Sequence, residues 1–272
     1  MRFRPLHPGF GVEVLDLDLG DKPGDETLAA LRGAYDEHQL LLFRGGGRLS
    51  PERQVEITGW FGEVATHFDG KMHTVLSNEN AYGRDRLPFH SDYTFTETPF
   101  LGISLHAAAL PDGGTDTSFI SAVHGWATLP AERQAALADL TLRHREVPLS
   151  SDSDRGYGYD HPLRLIHPKT GKPILFVTEH HAFRIHQLSQ AESDRAIAEI
   201  FDHLYRNEAV YVHRWQPHDL MVWDNLAIQH ARTEQVEPAE GKRDMQRVTM
   251  HHIGLAEVNA RAKAYRLPPL AA

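Results

Sequence analysis

The sequence predicts a mixed α/β fold that is mainly β: a double-stranded β-helix, or distorted jelly roll, with flanking helices. Short apolar strands recur along most of the 272 residues, and only a few segments have helical periodicity. A His-x-Asp pair at His90 and a distant His230 fall beside two of these strands, which suits a barrel in which distant strands converge. No internal repeat or linker divides the chain, so we expect a single domain over 1–272.

The first elements are defined by local patterns. Residues 12–19 alternate apolar and acidic side chains as an edge strand does, and residues 26–38 then have helical periodicity. Leu40–Phe43 is typical of a buried strand, and three glycines end it. The Ser-Pro pair at 50–51 opens a second helix, with Ser as cap and Pro at the first helical position, and this helix runs towards Gly62.

The second half of the chain continues the mixture. Residues 102–110 and 117–120 are predicted to be strands, whereas residues 130–140 have the composition of a short surface helix. Ser189 and Glu192 form a capping-box pattern before an amphipathic helix, and further strands follow.

Residues 149–160 are rich in Ser, Asp and Gly and are expected to form a loop. Its position between scaffold segments makes it a candidate lid over a site, and a solvated surface loop is an equal alternative.

Composition limits the class of partner. A net charge of −9 argues against a nucleic-acid or anionic-membrane surface, so we expect a small-molecule substrate, no nucleic acid and no membrane. Cys is absent, and the N-terminus lacks the apolar core of a signal peptide, which predicts a cytoplasmic protein. We also expect a homo-oligomer.

The most informative residues are His90, Asp92 and His230. Two imidazoles and one carboxylate are the ligands that hold Fe(II) on one face and leave the other face open. In a strand, His90 and Asp92 project to the same side with Ser91 between them, while His230 comes from a separate strand. The chain has 19 His, so a chance His-x-Asp is common, but both predicted ligand segments adjoin strand-like sequence.

Four ordered blocks surround these residues, and they resemble the taurine dioxygenase-like (TauD/TfdA) family of Fe(II)- and 2-oxoglutarate-dependent dioxygenases. The resemblance extends from about Val14 to Ile253. The blocks are FHSDYTFTETP at 89–99, LPDGGTDT at 110–117, RWQPHD at 214–219 leading into WDN at 223–225 and QH at 229–230, and RDMQR at 243–247.

The resemblance implies the cofactors Fe(II) and 2-oxoglutarate, with O2 as co-substrate. It also implies that Arg243 and Thr117 bind the distal carboxylate of 2-oxoglutarate, for which the planar fork of an arginine is well suited. The segment Gly114-Thr115-Asp116 departs from the usual pattern, so Thr115 is a competitor to Thr117.

The resemblance further places Arg247 and His67 at an anionic group of the substrate, although Arg247 could instead support the cofactor and His67 could be an ordinary polar residue. Tyr93 is a third candidate substrate residue. A sulfonate, sulfate ester, aryloxyalkanoate or other carboxylate would suit such a site. The segment 68–71 departs from the taurine-cleaving enzyme, which makes taurine itself doubtful.

We therefore expect a dioxygenase that hydroxylates a small anionic substrate and releases succinate and CO2. The alternatives are a metal-dependent hydrolase or a 2-oxoglutarate-independent oxygenase on the same barrel, and a non-catalytic binding protein. The histidines at 180, 181 and 186 could suggest a second metal site, but the strand-like residues before them would point His180 and His181 to opposite faces.

Overall fold

The structure, a computed structural model, describes residues 1–147, 157–237 and 241–268. Within these ranges the chain forms sixteen strands and seven α-helices. The strands are β1 (Arg2–His7), β2 (Phe10–Leu15), β3 (Leu40–Phe43), β4 (Thr74–Ser77), β5 (Leu87–His90), β6 (Gly102–Ala109), β7 (Asp116–Ser121), β8 (Thr141–Arg145), β9 (Gly158–Pro162), β10 (Arg164–Ile166), β11 (Pro173–Leu175), β12 (Ala182–Ile185), β13 (Tyr211–Arg214), β14 (Leu220–Asp224), β15 (Ile228–Arg232) and β16 (Asp244–Met250). The helices are α1 (Asp25–His38), α2 (Pro51–Thr58), α3 (Ala81–Arg84), α4 (Ala122–Ala127), α5 (Ala131–Leu137), α6 (Gln190–Leu204) and α7 (Leu255–Ala264).

Two sheets form the barrel. The larger has seven strands in the order β1-β2-β3-β14-β6-β16-β4, and the smaller has four in the order β13-β7-β15-β5. Every pairing within them is antiparallel except that of β2 with β3. Neighbouring strands such as β14 and β6 lie far apart in sequence, as in a jelly roll. The predicted double-stranded β-helix is confirmed.

The space between the two sheets is filled by apolar side chains. On β14, Met221 and Trp223 point into this space, where the Trp223 ring lies 5.5 Å from the Phe119 ring of the smaller sheet. Leu220 and Val222 point the other way and pack with α1 and α2. Because side chains alternate across a strand, a strand covered on both faces has a continuous apolar sequence.

The helices cover the outer faces of both sheets. The apolar side of α1 and α2 packs on the larger sheet, and α6 packs behind the smaller sheet through Ile197, Ile200 and Leu204. The predicted helix starts are confirmed: Ser50 accepts a hydrogen bond from the Arg53 amide at 3.2 Å, and α6 begins with a full capping box. None of the helices within the described ranges is long and apolar enough to cross a membrane.

Three sequence expectations were wrong in detail. The strand near residue 12 is not at the edge of its sheet, because β1 pairs with β2 on its outer side. Helix α7 was not anticipated, and it contributes Leu255 and Asn259 to the cavity described below. The segment expected to be a loop at 149–160 lies outside the described residues as far as 156, and its last residues belong to β9.

Candidate metal centre and cavity

Strand register brings the two candidate histidine ligands together. In the smaller sheet, β5 and β15 are antiparallel, and His230 is directly opposite His90. Their ring centroids are 4.2 Å apart. Since residues that face each other on neighbouring strands have side chains on the same side, both imidazoles point into the barrel.

Asp92 joins them from a turn rather than from a strand. Strand β5 ends at His90, and Tyr93 adopts a left-handed backbone conformation with φ of 64°. The buried Asn225 side chain holds the Asp92 backbone: its Oδ1 accepts from the Asp92 amide at 2.9 Å, and its Nδ2 donates to the Asp92 carbonyl at 3.0 Å. The expectation that His90 and Asp92 alternate along one strand was therefore wrong, although both side chains reach the same point.

The three side chains have the geometry of a metal site. Asp92 Oδ1 lies 3.3 Å from His90 Nε2 and 3.8 Å from His230 Nε2. These are near the separation of about 3 Å expected for two ligand bonds of roughly 2.1 Å at right angles. His90 Nδ1 donates to the Pro88 carbonyl at 2.8 Å, which leaves the Nε2 lone pair free for a metal. Among the described residues this is the one group of three or more His, Cys, Asp and Glu that could hold an ion.

The charge state of the centre also suits a cation. Burial alone would raise the pKa of Asp92, but the positive charge of Arg247 and the contacts with His90 and His230 outweigh it, so the pKa falls well below its usual range. Burial, with the charges of His90 and Arg247, holds the pKa of His230 well below its ordinary value, opposed only in part by Asp92. At neutral pH the centre thus offers a carboxylate and neutral imidazole nitrogen.

A cavity of about 540 Å³ opens over this centre. It is lined by the three candidate ligands and by every other residue that the sequence singled out for the site, namely His67, Tyr93, Thr117, Arg243 and Arg247. The structure therefore brings together all the predicted site residues, although what each one binds stays a prediction.

Arg243 is a buried cation without a carboxylate partner among the described residues. It is 2% exposed, and its guanidinium donates to Thr115 Oγ1 and to the Gly83 carbonyl, both at 3.3 Å. Burial, and secondarily the charge of Arg232, lowers its pKa to about 9. Thr115 thus contacts Arg243, whereas Thr117 is on the cavity wall.

Arg247 and His67 each present a buried nitrogen that has no partner among the described residues. Arg247 Nη2 is 2.7 Å from Asp92 Oδ2, but its Nε makes no hydrogen bond. His67 Nε2 is likewise unpartnered. Burial, followed by the charge of Arg247, lowers the pKa of His67 to about 4. Both nitrogens lie in residues that line the cavity.

Two further histidines belong to the cavity wall and were misjudged from the sequence. Residues 179–181 form a turn after β11, so His180 and His181 both line the cavity instead of pointing to opposite faces. Their rings lie 5.8 and 6.4 Å from the His90 ring. Burial is the largest cause that lowers the pKa of His180, to about 4. A turn signal in Glu-His-His was the missing observation.

The chain matches the family described as "Taurine catabolism dioxygenase TauD, TfdA family" over residues 2–249. It belongs to this family. The alpha-ketoglutarate-dependent 2,4-dichlorophenoxyacetate dioxygenase of Cupriavidus pinatubonensis is 28% identical over 259 residues, which cover 83% of this chain and 90% of that protein. The alpha-ketoglutarate-dependent sulfate ester dioxygenase of Pseudomonas putida is 27% identical over 253 residues, with 83% and 82% covered.

A solved structure of a taurine dioxygenase from Burkholderia xenovorans has the same fold, with a TM-score of 0.81 at 24% identity over 92% of this chain and 90% of that one. As a member of the TauD/TfdA family, the chain is an oxidoreductase of the alpha-ketoglutarate-dependent dioxygenase class, with Fe(II), 2-oxoglutarate and O2 as its cofactors and co-substrate. The enzyme class and the cofactors predicted from the sequence are confirmed.

Proposed function

We propose that this dioxygenase hydroxylates a small organic anion with an apolar body, and that His90, Asp92 and His230 hold its iron. The observation that carries the proposal is the pair of unpartnered buried nitrogens, Arg247 Nε and His67 Nε2, on a cavity wall beside the metal centre. Buried polar groups are rarely left without a hydrogen-bond partner, so an acceptor is expected to complete them.

The metal ligands would be oriented by their surroundings. Asp92 turns Oδ1 towards both imidazoles while Arg247 holds Oδ2, which favours binding through a single oxygen. Together, Fe(II), 2-oxoglutarate and O2 supply the oxidant that hydroxylates a C–H bond, with release of succinate and CO2. The protein's part is to hold the three ligands on one side and keep the opposite side open to the cavity.

The distal carboxylate of 2-oxoglutarate would be bound by Arg243, with Thr117 beside it. A buried guanidinium that lacks a carboxylate is destabilised until an anion arrives, and a dicarboxylic acid brings one. Thr115 would act indirectly, because its hydroxyl already contacts Arg243.

The substrate's anionic group would lie between Arg247 and His67. A neutral imidazole can donate one hydrogen bond to an anion, and the guanidinium supplies the opposite charge. The names of two relatives agree with this class, since 2,4-dichlorophenoxyacetate is a carboxylate and a sulfate ester carries a sulfate group. Arg247 could instead support the cofactor, and the test below separates the two roles.

The body of the substrate would contact apolar side chains. Tyr93, Phe95 and Leu255 line the cavity, and the Tyr93 ring stacks on Phe95 with centroids 5.2 Å apart. Phe68 and Val75 also line the cavity although they are 61% and 43% exposed. Large exposed apolar side chains at a cavity mouth favour a ligand whose non-polar part extends outwards.

The test is a screen for substrate-stimulated succinate release. We expect stimulation by aryloxyalkanoates, alkyl sulfates or apolar sulfonates, and none by the neutral methyl ester of an active carboxylate. His67→Ala is expected to raise the Michaelis constant for the anion about tenfold through loss of one hydrogen bond to a charged group, while His67→Gln retains a donor and has a smaller effect. The Michaelis constant for the cofactor 2-oxoglutarate should not change in either variant.

Other outcomes would favour the alternatives. Stimulation by the ester as strongly as by the acid would contradict an anion site at His67. If His67→Ala weakened the apparent affinity for 2-oxoglutarate instead, this end of the cavity would hold the cofactor. Turnover without 2-oxoglutarate would indicate the hydrolase or cofactor-independent oxygenase, and failure to bind Fe(II) would indicate a non-catalytic protein.

The single domain over 1–272, the lid at 149–160 and the homo-oligomer stay predictions. The first is supported by a core that runs between the two sheets and under the helices of both halves of the chain.

A further inference from the structure

The Thr117 hydroxyl has a fixed donor. Thr117 lies in β7 and is 5% exposed, and its Oγ1 accepts a hydrogen bond of 2.9 Å from the indole Nε1 of Trp215. An indole N–H can only donate, so the threonine oxygen is the acceptor in this pair. The hydroxyl proton must therefore point away from Trp215.

That proton has no acceptor among the described residues. Within them, the Thr117 side chain makes one hydrogen bond, the one received from Trp215, and Thr117 lines the same cavity as Arg243. A buried hydroxyl that accepts from the protein and has nothing to donate to is a donor available to a ligand.

Trp215 itself is held in place. Its backbone amide donates to the Thr115 carbonyl at 3.1 Å, and its ring meets the His213 ring edge to face, with centroids 4.6 Å apart. His213 is 1% exposed and is fixed between the Tyr211 hydroxyl and Asp219, at 2.9 and 3.1 Å. The indole therefore has little freedom to turn away from Thr117.

Asp219 anchors this arrangement to the larger sheet. It is fully buried, and Arg44 donates to its two oxygens at 2.9 and 2.7 Å. Paired and hydrogen-bonded in this way, a buried carboxylate is a rigid support.

We propose that Trp215 is a positioning residue for the cofactor: its indole N–H orients the Thr117 hydroxyl as a donor to the distal carboxylate of 2-oxoglutarate. This inference rests on the proposed binding of that carboxylate by Arg243 and Thr117. Without the indole, the hydroxyl can rotate among its staggered positions and make the hydrogen bond only part of the time. The donated indole N–H also polarises the hydroxyl and strengthens its own donation.

The experiment is a double-mutant cycle on 2-oxoglutarate affinity, measured by calorimetry with Mn(II)-loaded protein in the absence of O2. Thr117→Val should weaken binding about 30-fold, as expected for a lost hydrogen bond to a charged group, and Trp215→Phe about 5-fold. In the Thr117→Val background, Trp215→Phe should add less than about 2-fold, because the group through which it acts is gone.

Two controls accompany the cycle. Thr117→Ser keeps the hydroxyl and should bind 2-oxoglutarate nearly as well as the wild type. Trp60→Phe removes another buried indole, whose Nε1 makes no hydrogen bond to the described residues, and should leave the affinity unchanged.

The outcomes separate this inference from the proposed function. If Thr117→Val and Arg243→Met both leave 2-oxoglutarate binding intact, the proposed cofactor site is wrong. If Thr117→Val weakens binding while Trp215→Phe has no effect, or has the same effect in both backgrounds, the site stands and the positioning role of Trp215 is overturned.

A second measurement covers the case in which Trp215→Phe does not fold. In the 15N-labelled, Zn(II)-loaded protein, one of the four indole resonances should show a nuclear Overhauser effect to the Thr117 methyl group. That resonance should move in Thr117→Val and when 2-oxoglutarate is added to the wild type. An indole that responds to neither would overturn the inference.

Discussion

Replacing Arg243 by methionine should stabilise the cofactor-free protein while it removes 2-oxoglutarate binding. Arg243 is 2% exposed and has no carboxylate partner among the described residues. Burial, and then the charge of Arg232, lowers its pKa to about 9. A base whose pKa is lower in the folded state opposes folding, and this penalty is fully present below about pH 9.

The size of the effect follows from the same quantities. Compared with an ordinary guanidinium pKa of roughly 12.5, the shift corresponds to at most about 5 kcal/mol. Methionine also loses the two hydrogen bonds of 3.3 Å to Thr115 and Gly83, at about 1 kcal/mol each. We therefore expect Arg243→Met to raise the free energy of unfolding by about 1–3 kcal/mol at pH 7.5, since the effective burial penalty is smaller than its upper limit.

The assay is urea unfolding, first without metal or 2-oxoglutarate and then with Mn(II) and 2-oxoglutarate. At a 2-oxoglutarate concentration of 100 times the wild-type Kd, the wild type should gain about 2.7 kcal/mol. A variant that binds at least 100-fold more weakly should gain no more than about 0.4 kcal/mol.

Arg143 provides a matched control of opposite sign. It is 4% exposed, but it pairs with both oxygens of Asp160 at 2.8 and 2.9 Å. Arg143→Met leaves a carboxylate without its main partner, so we expect it to destabilise the protein by about 3 kcal/mol and to keep the gain from 2-oxoglutarate. A destabilised Arg243→Met, or one that keeps the full gain from 2-oxoglutarate, would refute the reasoning.

Three further variants test other parts of the structure. Asn225→Ala removes the two hydrogen bonds that hold the Asp92 backbone and should weaken Mn(II) binding about 10- to 100-fold by calorimetry; unchanged binding would show that the turn holds itself. Ser189→Ala removes the cap of α6 and should lower the free energy of unfolding by about 1 kcal/mol without altering 2-oxoglutarate affinity. Burial, against the hydrogen bond to the Thr96 carbonyl, lowers the pKa of His161 to about 4, so the folded protein leaves this imidazole neutral where the unfolded chain binds a proton. Stability should fall as the pH drops from about 6.5 to about 4, and His161→Gln should reduce that slope; an identical slope in both proteins would contradict the assignment.

Much of the fold follows from local patterns in the sequence. Helices α1, α2 and α6 are predictable because caps and apolar periodicity are properties of neighbouring residues. Strand β14 is predictable because both of its faces are buried and its sequence is one apolar run. The ligand set is predictable from residue type and spacing, since few combinations suit a facial iron site.

Other features depend on contacts that no local pattern contains. The register that places His230 opposite His90 joins residues far apart in the chain, and Asn225 holds Asp92 across 133 positions. The Trp-Asp-Asn block was recognised as part of the resemblance, but nothing in the sequence showed which backbone the asparagine side chain would bind. A role that consists of a long-range hydrogen bond requires the folded structure.

The errors share a physical cause. Alternation of side chains applies inside a strand, and it was applied to His90 with Asp92 and to His180 with His181, where the strand ends or a turn intervenes. Arg243 likewise stands immediately before β16. Chemical groups from different elements can converge only where the backbone leaves the regular sheet, because a strand interior directs its side chains in two fixed directions. Rules based on periodicity are therefore least reliable at the residues on which function depends.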